Sequence, residues 1–134
     1  MYWTDWGKNP KIERCGMNGD FATREIVIKG DIVYPNGLAI DYVEEKLWWA
    51  EATLDKIETA NLDGTMRRAV VKEPSIHPFG LVVYNNSILW TDWIENTIYK
   101  ADKLAGKIFF SKHVGSFRPT GIRVIHGQMH RSGM

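Results

Sequence analysis

Apolar and polar positions along this chain follow the pattern of short β-strands. Runs rich in Trp, Ile, Val and Leu are interrupted by Gly, Pro, Asn or Asp about every ten residues, and no stretch sustains a helical period. One unit is read as four strands, at residues 38–42, 46–51, 56–61 and 67–71. The first strand is continuously apolar, which is typical of a strand buried on both faces. Asp63-Gly64 predicts a tight primed hairpin turn between the last two strands.

Three landmarks recur in the same order along the chain. The first is an aromatic strand, found around Trp3, Trp49 and Trp90. The second is a Pro-x-Gly segment followed by apolar residues, which begins at Pro35, Pro78 and Pro119. The third is a strand that begins at Ile12, Ile57 and Ile98. The tryptophans are 46 and 41 residues apart, and the prolines are 43 and 41 residues apart. A period of about 40–50 residues is typical of the blades of a β-propeller.

The repeats divide the chain into an incomplete propeller. Residues 1–30 supply strands two to four of one blade, 35–73 and 77–117 are whole blades, 118–126 supply one first strand, and 127–134 are a tail. This makes twelve strands, whereas closed propellers usually have about four to eight blades. The predicted fold is therefore all-β, a partial β-propeller of about three blades with four antiparallel strands each. The chain is expected to be half of a domain.

Composition and charge narrow the classes of function. The 134 residues include 17 basic and 16 acidic side chains, for a net charge of +1, which offers no electrostatic footprint for nucleic acid. No run approaches the roughly 18 apolar residues of a membrane-spanning helix. The single cysteine, Cys15, is predicted to be a small buried strand residue, with an intermolecular disulfide or a reactive thiol as the alternative.

Catalytic and metal-binding patterns are weak in this sequence. No Cys/His pair has the spacing of metal ligands, no Gly-x-Ser-x-Gly elbow occurs, and the histidines are scattered. No cofactor and no metal are therefore predicted, and a propeller hydrolase is the disfavoured alternative.

The aromatic strands carry a family resemblance. YWTD at residues 2–5 and LWTDW at 89–93 resemble the signature of the low-density lipoprotein receptor class B repeat, and WWAE at 48–51 is a variant of it. The resemblance covers essentially the whole chain. It is closest to the first propeller of the Wnt co-receptors and to the propellers of the related agrin receptor. The family implies a six-bladed propeller, of which this chain resembles the second half.

The resemblance implies a location and partners. It implies the extracellular ectodomain of a single-pass membrane receptor that binds a protein or peptide-like ligand, of the Wnt-pathway or matrix type, on one face of the propeller. The other half of the propeller and an EGF-like module are the expected neighbours in a parent chain. Two alternatives remain, a fragment without independent function and a homodimer in which each C-terminal strand completes the opening blade of the other copy.

Residues at the strand ends are the candidates for ligand binding. Trp6 and Trp93 follow the aromatic strand where the middle repeat has Ala52, so the fold does not require Trp there, and a large aromatic at a loop rim suits partner binding. Residues that lead into first strands should emerge on the same face, which in relatives binds peptide-like ligands. The expected set is Trp6, Tyr34, Asn36, His77, Trp93 and Phe117.

Some of these residues have structural alternatives. Tyr34 and Phe117 could simply cover the rim of the channel. His77 is also a candidate for a charge switch on acidification, although a satisfied structural histidine is the commoner case.

The residues of the aromatic strands themselves are expected to be structural. The tryptophans should pack between neighbouring blades. An acidic residue recurs in every blade, which a catalytic carboxylate would not need to do, so buried hydrogen bonds between strands explain it better. The set is Trp3, Asp5, Trp49, Glu51, Trp90 and Asp92.

An acceptor triplet for N-glycosylation, Asn85-Asn86-Ser87, lies in a predicted turn between strands. Such triplets are common by chance, so this one gains weight only from the resemblance to extracellular proteins. Asn85 is therefore the candidate for glycosylation.

Overall fold

The computed structural model describes residues 1–116 and 118–125. In this part of the chain, eleven strands form three antiparallel sheets. The first sheet contains β1 (Tyr2–Asp5), β2 (Lys11–Arg14) and β3 (Glu25–Lys29); the second contains β4 (Pro35–Asp41), β5 (Lys46–Glu51), β6 (Lys56–Asn61) and β7 (Arg68–Lys72); the third contains β8 (Pro78–Tyr84), β9 (Ser87–Asp92), β10 (Thr97–Asp102) and β11 (Ile108–His113). The helical content of the described residues is one 3-10 turn at Phe21–Thr23, and none of it could span a membrane.

Each sheet is a meander whose strands pair in sequence order, and the sheets stand side by side. The first strands β4 and β8 contact each other across the second and third sheets, and β1 contacts β4. Gly37 permits this approach, because a Cβ at that position would lie 2.6 Å from the carbonyl oxygen of Phe79. The all-β, partial-propeller prediction is confirmed by this arrangement.

The core fills the two gaps between sheets. Trp48 and Trp49 are neighbours on β5 and therefore lie on opposite faces of the second sheet. Trp49 packs toward Ile12 of the first sheet, and Trp48 packs with Trp90 of the third. All three indoles are almost completely buried. Burial of one such ring stabilises the fold by roughly 5 kcal/mol as an upper estimate, at about 25 cal/mol per Å² of apolar area.

The turn at Asp63-Gly64 differs from its prediction. β6 and β7 are joined by six residues, 62–67, and Gly64 donates its N–H to the carbonyl of Asn61 at 2.9 Å. A type I′ turn requires a positive φ at both central residues, here Asp63 and Gly64. Gly64 has a φ of +88°, but the φ of Asp63 is not positive. The Asp63 carboxylate instead accepts the N–H of Thr65 at 3.0 Å, and this bond holds a wider loop.

The lone first strand expected at 118–126 is also absent from the described residues. Residues 118–125 form no strand, so eleven strands are observed instead of twelve. The segment lies beside the third sheet, where the hydroxyl of Thr91 donates to the carbonyl of Thr120 at 2.6 Å. No further strand in the described part of the chain is available there to form a ladder with it. Residue 126 and the tail 127–134 lie outside the described residues.

Candidate functional site

One end of the second and third sheets gathers the residues that flank the aromatic strands. Pro35, the first residue of β4, pairs with Glu51, the last residue of β5. Pro78 pairs with Asp92 in the same way in the third sheet. The segments before each first strand and after each aromatic strand therefore emerge at the same edge.

Two buried carboxylates fix these segments. Glu51 accepts hydrogen bonds from the backbone N–H groups of Val33, at 3.2 Å, and Tyr34. Asp92 accepts the N–H of His77 at 2.8 Å and two more N–H groups from the turn that follows β9. Burial raises the pKa of Glu51, and its backbone hydrogen bonds oppose that effect only in part.

The first sheet departs from this arrangement. Asp5 is only partly buried; it accepts the N–H of Gly7 at 2.9 Å and pairs with Lys11 at 3.2 Å. The hydrogen bond from Gly7 and the neighbouring ammonium hold the pKa of Asp5 below its usual value. Each full sheet therefore uses its acidic residue to hold the chain that enters its first strand, and the first sheet has no such strand.

An aromatic groove of about 370 Å³ lies at this edge. Its lining residues lie in, or directly beside, strands of all three sheets and are Trp6, Tyr34, Asn36, Ala52, Thr53, Phe79 and Trp93. The rings of Trp6 and Tyr34 are 5.2 Å apart between centroids, and those of Phe79 and Trp93 are 6.3 Å apart. Trp6 is 54% exposed and Tyr34 is 42% exposed. The structure thus brings together four of the six residues in the expected binding set.

The other two expected residues are not part of this lining. The Nδ1 of His77 is buried, has no hydrogen-bond partner among the described residues and lies 3.6 Å from Oδ1 of Asp92. Phe117 lies outside the described residues.

Two further residues lie at the groove that were not among the residues expected from the sequence. Phe79 occupies the middle of a Pro-x-Gly segment, the position that Asn36 holds in the preceding repeat, and that equivalence was the available signal. The guanidinium carbon of Arg118 lies 5.1 Å from the centroid of the Trp93 ring. Such a cation over an aromatic face is attracted by the ring quadrupole. Its only signal in the sequence was its place before the third recurring proline.

The tryptophans of the aromatic strands lie between sheets or at the open face of the stack. Trp49 and Trp90 are fully buried, whereas Trp3 is partly exposed. The guanidinium groups of Arg24 and Arg67 lie 5.7 Å from the ring of Trp3 and 5.5 Å from that of Trp49. An arginine over the ring of the aromatic strand is therefore repeated in the first and second sheets.

Metal-binding clusters are absent from the part of the chain that the structure describes, where no three His, Cys, Asp or Glu side chains converge. Cys15 is buried and free just after β2. Asn85 is exposed in the two-residue turn between β8 and β9, at the end of the third sheet away from the aromatic groove.

Comparisons with known proteins agree on a repeat family. Residues 1–42 match the family model of the low-density lipoprotein receptor repeat class B. The vitellogenin receptor Yl of Drosophila melanogaster is 35% identical over 107 residues, which cover 80% of this chain and 5% of that receptor. The low-density lipoprotein receptor-related protein 5-like protein of Homo sapiens is 36% identical over 103 residues, which cover 77% of this chain and 40% of that protein. The chain thus spans a small part of the receptor and two fifths of the human protein.

Solved structures share the fold. A chain in the crystal structure of a nidogen/laminin complex is 31% identical with a TM-score of 0.80, over 90% of this chain and 45% of that chain. A luciferin-regenerating enzyme is 13% identical with a TM-score of 0.70, over 87% of this chain and 42% of the enzyme. A streptogramin B lyase is 19% identical with a TM-score of 0.69, over 90% of this chain and 39% of the lyase. At these identities the two enzymes show the fold alone.

Proposed function

Because the chain belongs to the low-density lipoprotein receptor class B repeat family and forms part of its propeller, we propose that it is an extracellular recognition module whose aromatic groove binds a peptide-like segment of a protein ligand. The sequence relatives include a vitellogenin receptor and a low-density lipoprotein receptor-related protein 5-like protein, and the structural match comes from a nidogen/laminin complex. These similarities support a place in a receptor ectodomain. The observation that carries the proposal is the presence of Trp6 and Trp93 in the aromatic groove, at a strand end where the second sheet has Ala52.

The fold does not require an aromatic ring at the position of Trp6, which is exposed, or of Trp93, which is half-buried. Ala52 follows β5 at the position that Trp6 and Trp93 occupy after β1 and β9, so a small residue suffices for the turn. Trp and Tyr are the residues most enriched among those that dominate binding energy in interfaces. Their rings lose little conformational entropy on binding, and burial of their exposed area would favour a complex.

The polar groups at the groove indicate the chemistry of the ligand. The amide of Asn36 makes no hydrogen bond to another described residue, so its donors and acceptor remain for a ligand backbone. Arg118 is exposed, stacked on Trp93, and has no carboxylate partner in the described ranges. A guanidinium held in place in this way suits a carboxylate. The ligand segment therefore combines an apolar side chain, placed between the ring pairs, with an acidic side chain near Arg118.

A peptide selection tests this proposal. Random peptides displayed on phage are selected on the immobilised chain, and the affinity of each enriched peptide is then measured for the unchanged chain and for Trp93→Ala. We expect enriched peptides that pair an apolar with an acidic residue, and we expect Arg118→Gln to weaken them selectively. Enriched peptides that bind Trp93→Ala as well as the unchanged chain would contradict the groove as the binding site. A Wnt-pathway or matrix protein as the natural ligand stays a prediction.

We further propose that recognition, and not catalysis, is the activity of this chain. The recurring carboxylates of Glu51 and Asp92 are fully buried and already accept backbone N–H groups. They are therefore poorly placed to act as an acid, a base or a metal ligand. Calorimetric titration with Ca²⁺ and with Zn²⁺ tests the hydrolase alternative, because a stoichiometric metal site would favour it.

The free edge of the first sheet supports a second class of partner. β1 pairs with β2 alone, and Trp3 is partly exposed where its counterparts are buried. An unpaired strand edge is a template for another strand. We propose that this edge is completed either by the other half of a propeller in a parent chain or by a second copy of this chain. Light scattering that finds a folded monomer would contradict the homodimer, and an unfolded chain would favour a fragment without independent function.

A further inference from the structure

A second groove, of about 610 Å³, lies at the opposite ends of the strands. It is formed by the turn between β4 and β5, the turn between β8 and β9, and Lys103 after β10. Successive turns of an antiparallel meander alternate between the two ends of a sheet. The groove therefore opens on the face opposite the aromatic groove, and the proposed ligand site does not use it.

The acceptor asparagine Asn85 lies on the wall of this second groove. It is exposed and has a φ of 53°, a left-handed conformation that Asn tolerates better than other side chains with a Cβ. No hydrogen bond joins its amide to another described side chain or backbone group. Asn85-Asn86-Ser87 is the single Asn-x-Ser/Thr triplet in the sequence.

The facing wall exposes apolar side chains beside charged ones. Tyr42 is 83% exposed and Val43 is 92% exposed on the turn that faces the asparagine. At the floor, Nζ of Lys103 lies 2.6 Å from the carboxylate of Asp41 and 3.5 Å from that of Glu44. An aromatic face beside hydrogen-bonding charges is the surface that a sugar ring fits, because its C–H face is apolar and its hydroxyl groups are donors and acceptors.

We propose that Asn85 carries an N-linked glycan whose first sugars lie in this groove against Tyr42 and Val43. In the transfer, the amide nitrogen of Asn85 loses a proton and bonds to the anomeric carbon of a lipid-diphosphate-linked oligosaccharide. The bond from that carbon to the diphosphate oxygen breaks, and the lipid diphosphate leaves. This glycan rests on one part of the proposed function, the extracellular location, because N-linked glycans are added to secreted chains.

The glycan gives the two faces of the propeller different roles. Carbohydrate covers the exposed Tyr42 and Val43, which would otherwise form an apolar patch open to solvent. The aromatic groove stays free, because it lies at the other ends of the strands. A protein ligand is thereby directed to one face.

Mass measurement tests the modification. The chain is secreted from animal cells behind a cleaved signal peptide, and its intact mass is compared before and after native treatment with peptide N-glycosidase F. We expect a glycan mass on the unchanged chain and on Ser87→Thr, which keeps the acceptor triplet. We expect none on Ser87→Ala or on Asn85→Gly, which fits the left-handed backbone. A secreted chain whose mass the enzyme leaves unchanged would overturn the proposal.

Tyrosine nitration tests where the glycan lies. Labelling of Tyr42 is expected to be several-fold slower on the glycosylated chain than after enzymatic removal of the glycan, while Tyr34 in the aromatic groove reacts equally in both. Equal labelling of Tyr42 would overturn the placement of the sugars in the groove. Peptides selected on the aromatic groove should bind Ser87→Ala unchanged, so a missing glycan refutes this inference alone, whereas a glycosylated chain that binds no peptide refutes the proposed function.

Discussion

The carboxylate of Asp92 accepts the backbone N–H of His77, with 2.8 Å between oxygen and nitrogen. Glu51 receives the N–H of Tyr34 in the same way one sheet earlier. In both full sheets, an acidic residue at the end of the aromatic strand therefore holds the residues that lead into the first strand. The same hydrogen bond therefore occurs in both sheets, and in the second sheet it positions Tyr34, which lines the aromatic groove.

We expect Asp92→Ala to lower the free energy of unfolding by about 3 kcal/mol, because each buried N–H left without an acceptor costs about 1–3 kcal/mol. Three backbone N–H groups lose their acceptor in this variant. Urea denaturation measures the loss. Asp5→Ala is the matched control, because Asp5 is partly exposed and holds no first strand. Equal losses in the two variants would show that the acidic residue does not act through these bonds.

The equivalent tryptophans should differ in their contribution to stability. Trp49→Ala removes a fully buried ring between two sheets, for which we expect a loss of about 3–5 kcal/mol. Trp3→Ala removes a partly exposed ring at the open face of the stack, for which we expect about 1 kcal/mol, near the average of point mutations. Thermal and urea unfolding compare the two. A loss at Trp3 as large as at Trp49 would mean that the face of the first sheet is covered in solution.

Gly106 should tolerate no side chain. It has a φ of +67°, and a Cβ there would lie 2.0 Å from the carbonyl oxygen of Val70 in the second sheet. Gly115 has a φ of +98° with open space around it, so Gly115→Ala measures the backbone strain alone, about 1 kcal/mol. Gly106→Ala should unfold at clearly lower urea than this control, because the third sheet has to move away from the second. Indistinguishable midpoints would contradict the close contact between the two sheets.

The ion pair between Lys103 and Asp41 should make stability depend on acid. Burial opposes ionisation of Asp41, but the hydrogen bonds from Lys103 and from backbone N–H groups outweigh it and hold the pKa of Asp41 below its usual value. A carboxyl with a lowered pKa stabilises the fold fully above its unfolded pKa of about 3.9, and that stability is lost as the pH falls through the lower folded value.

Two variants check this ion pair. Lys103→Met leaves the buried Asp41 without its ion-pair partner and should lower the free energy of unfolding by about 3 kcal/mol at neutral pH. The double variant Lys103→Met/Asp41→Asn should recover part of that loss, because it no longer buries an unpaired charge. Asp41→Asn alone should make stability less dependent on pH below about 4. Acid titration of unfolding by circular dichroism measures both effects. If Asp41→Asn lost stability with falling pH as steeply as the unchanged chain does, this ion pair would not be the cause of the acid dependence.

The repeated sheets were predictable because the evidence for them is local. Apolar strands that alternate with Gly, Pro and Asp are read within a few residues, and the spacing of Trp3, Trp49 and Trp90 repeats that pattern along the chain. The turn at Gly64 was mispredicted because its conformation depends on another sheet. A Cβ on Gly64 would lie 2.1 Å from the carbonyl oxygen of Val27.

The groove was predictable only in part. Trp6 and Tyr34 could be chosen from their places at strand ends, but Phe79 and Arg118 join them only because β4 packs beside β8 and residue 118 lies over Trp93. His77 was expected beside them, yet its backbone is held by Asp92 and its ring nitrogen is buried. Side chains that come together only because sheets pack against each other have no characteristic spacing along the sequence, so the sequence alone does not predict their contact.

The indole N–H resonances of the six tryptophans test the central claim most directly. A ¹⁵N-labelled chain is titrated with a peptide selected on the immobilised chain, and the two-dimensional spectrum is followed. We expect the resonances of Trp6 and Trp93 to shift and those of the buried Trp48, Trp49 and Trp90 to stay in place. We also expect Trp93→Ala to weaken the affinity at least about tenfold, which corresponds to about 1.4 kcal/mol of binding free energy. Shifts confined to other resonances, or an unchanged affinity in a folded Trp93→Ala, would contradict the groove as the site of recognition.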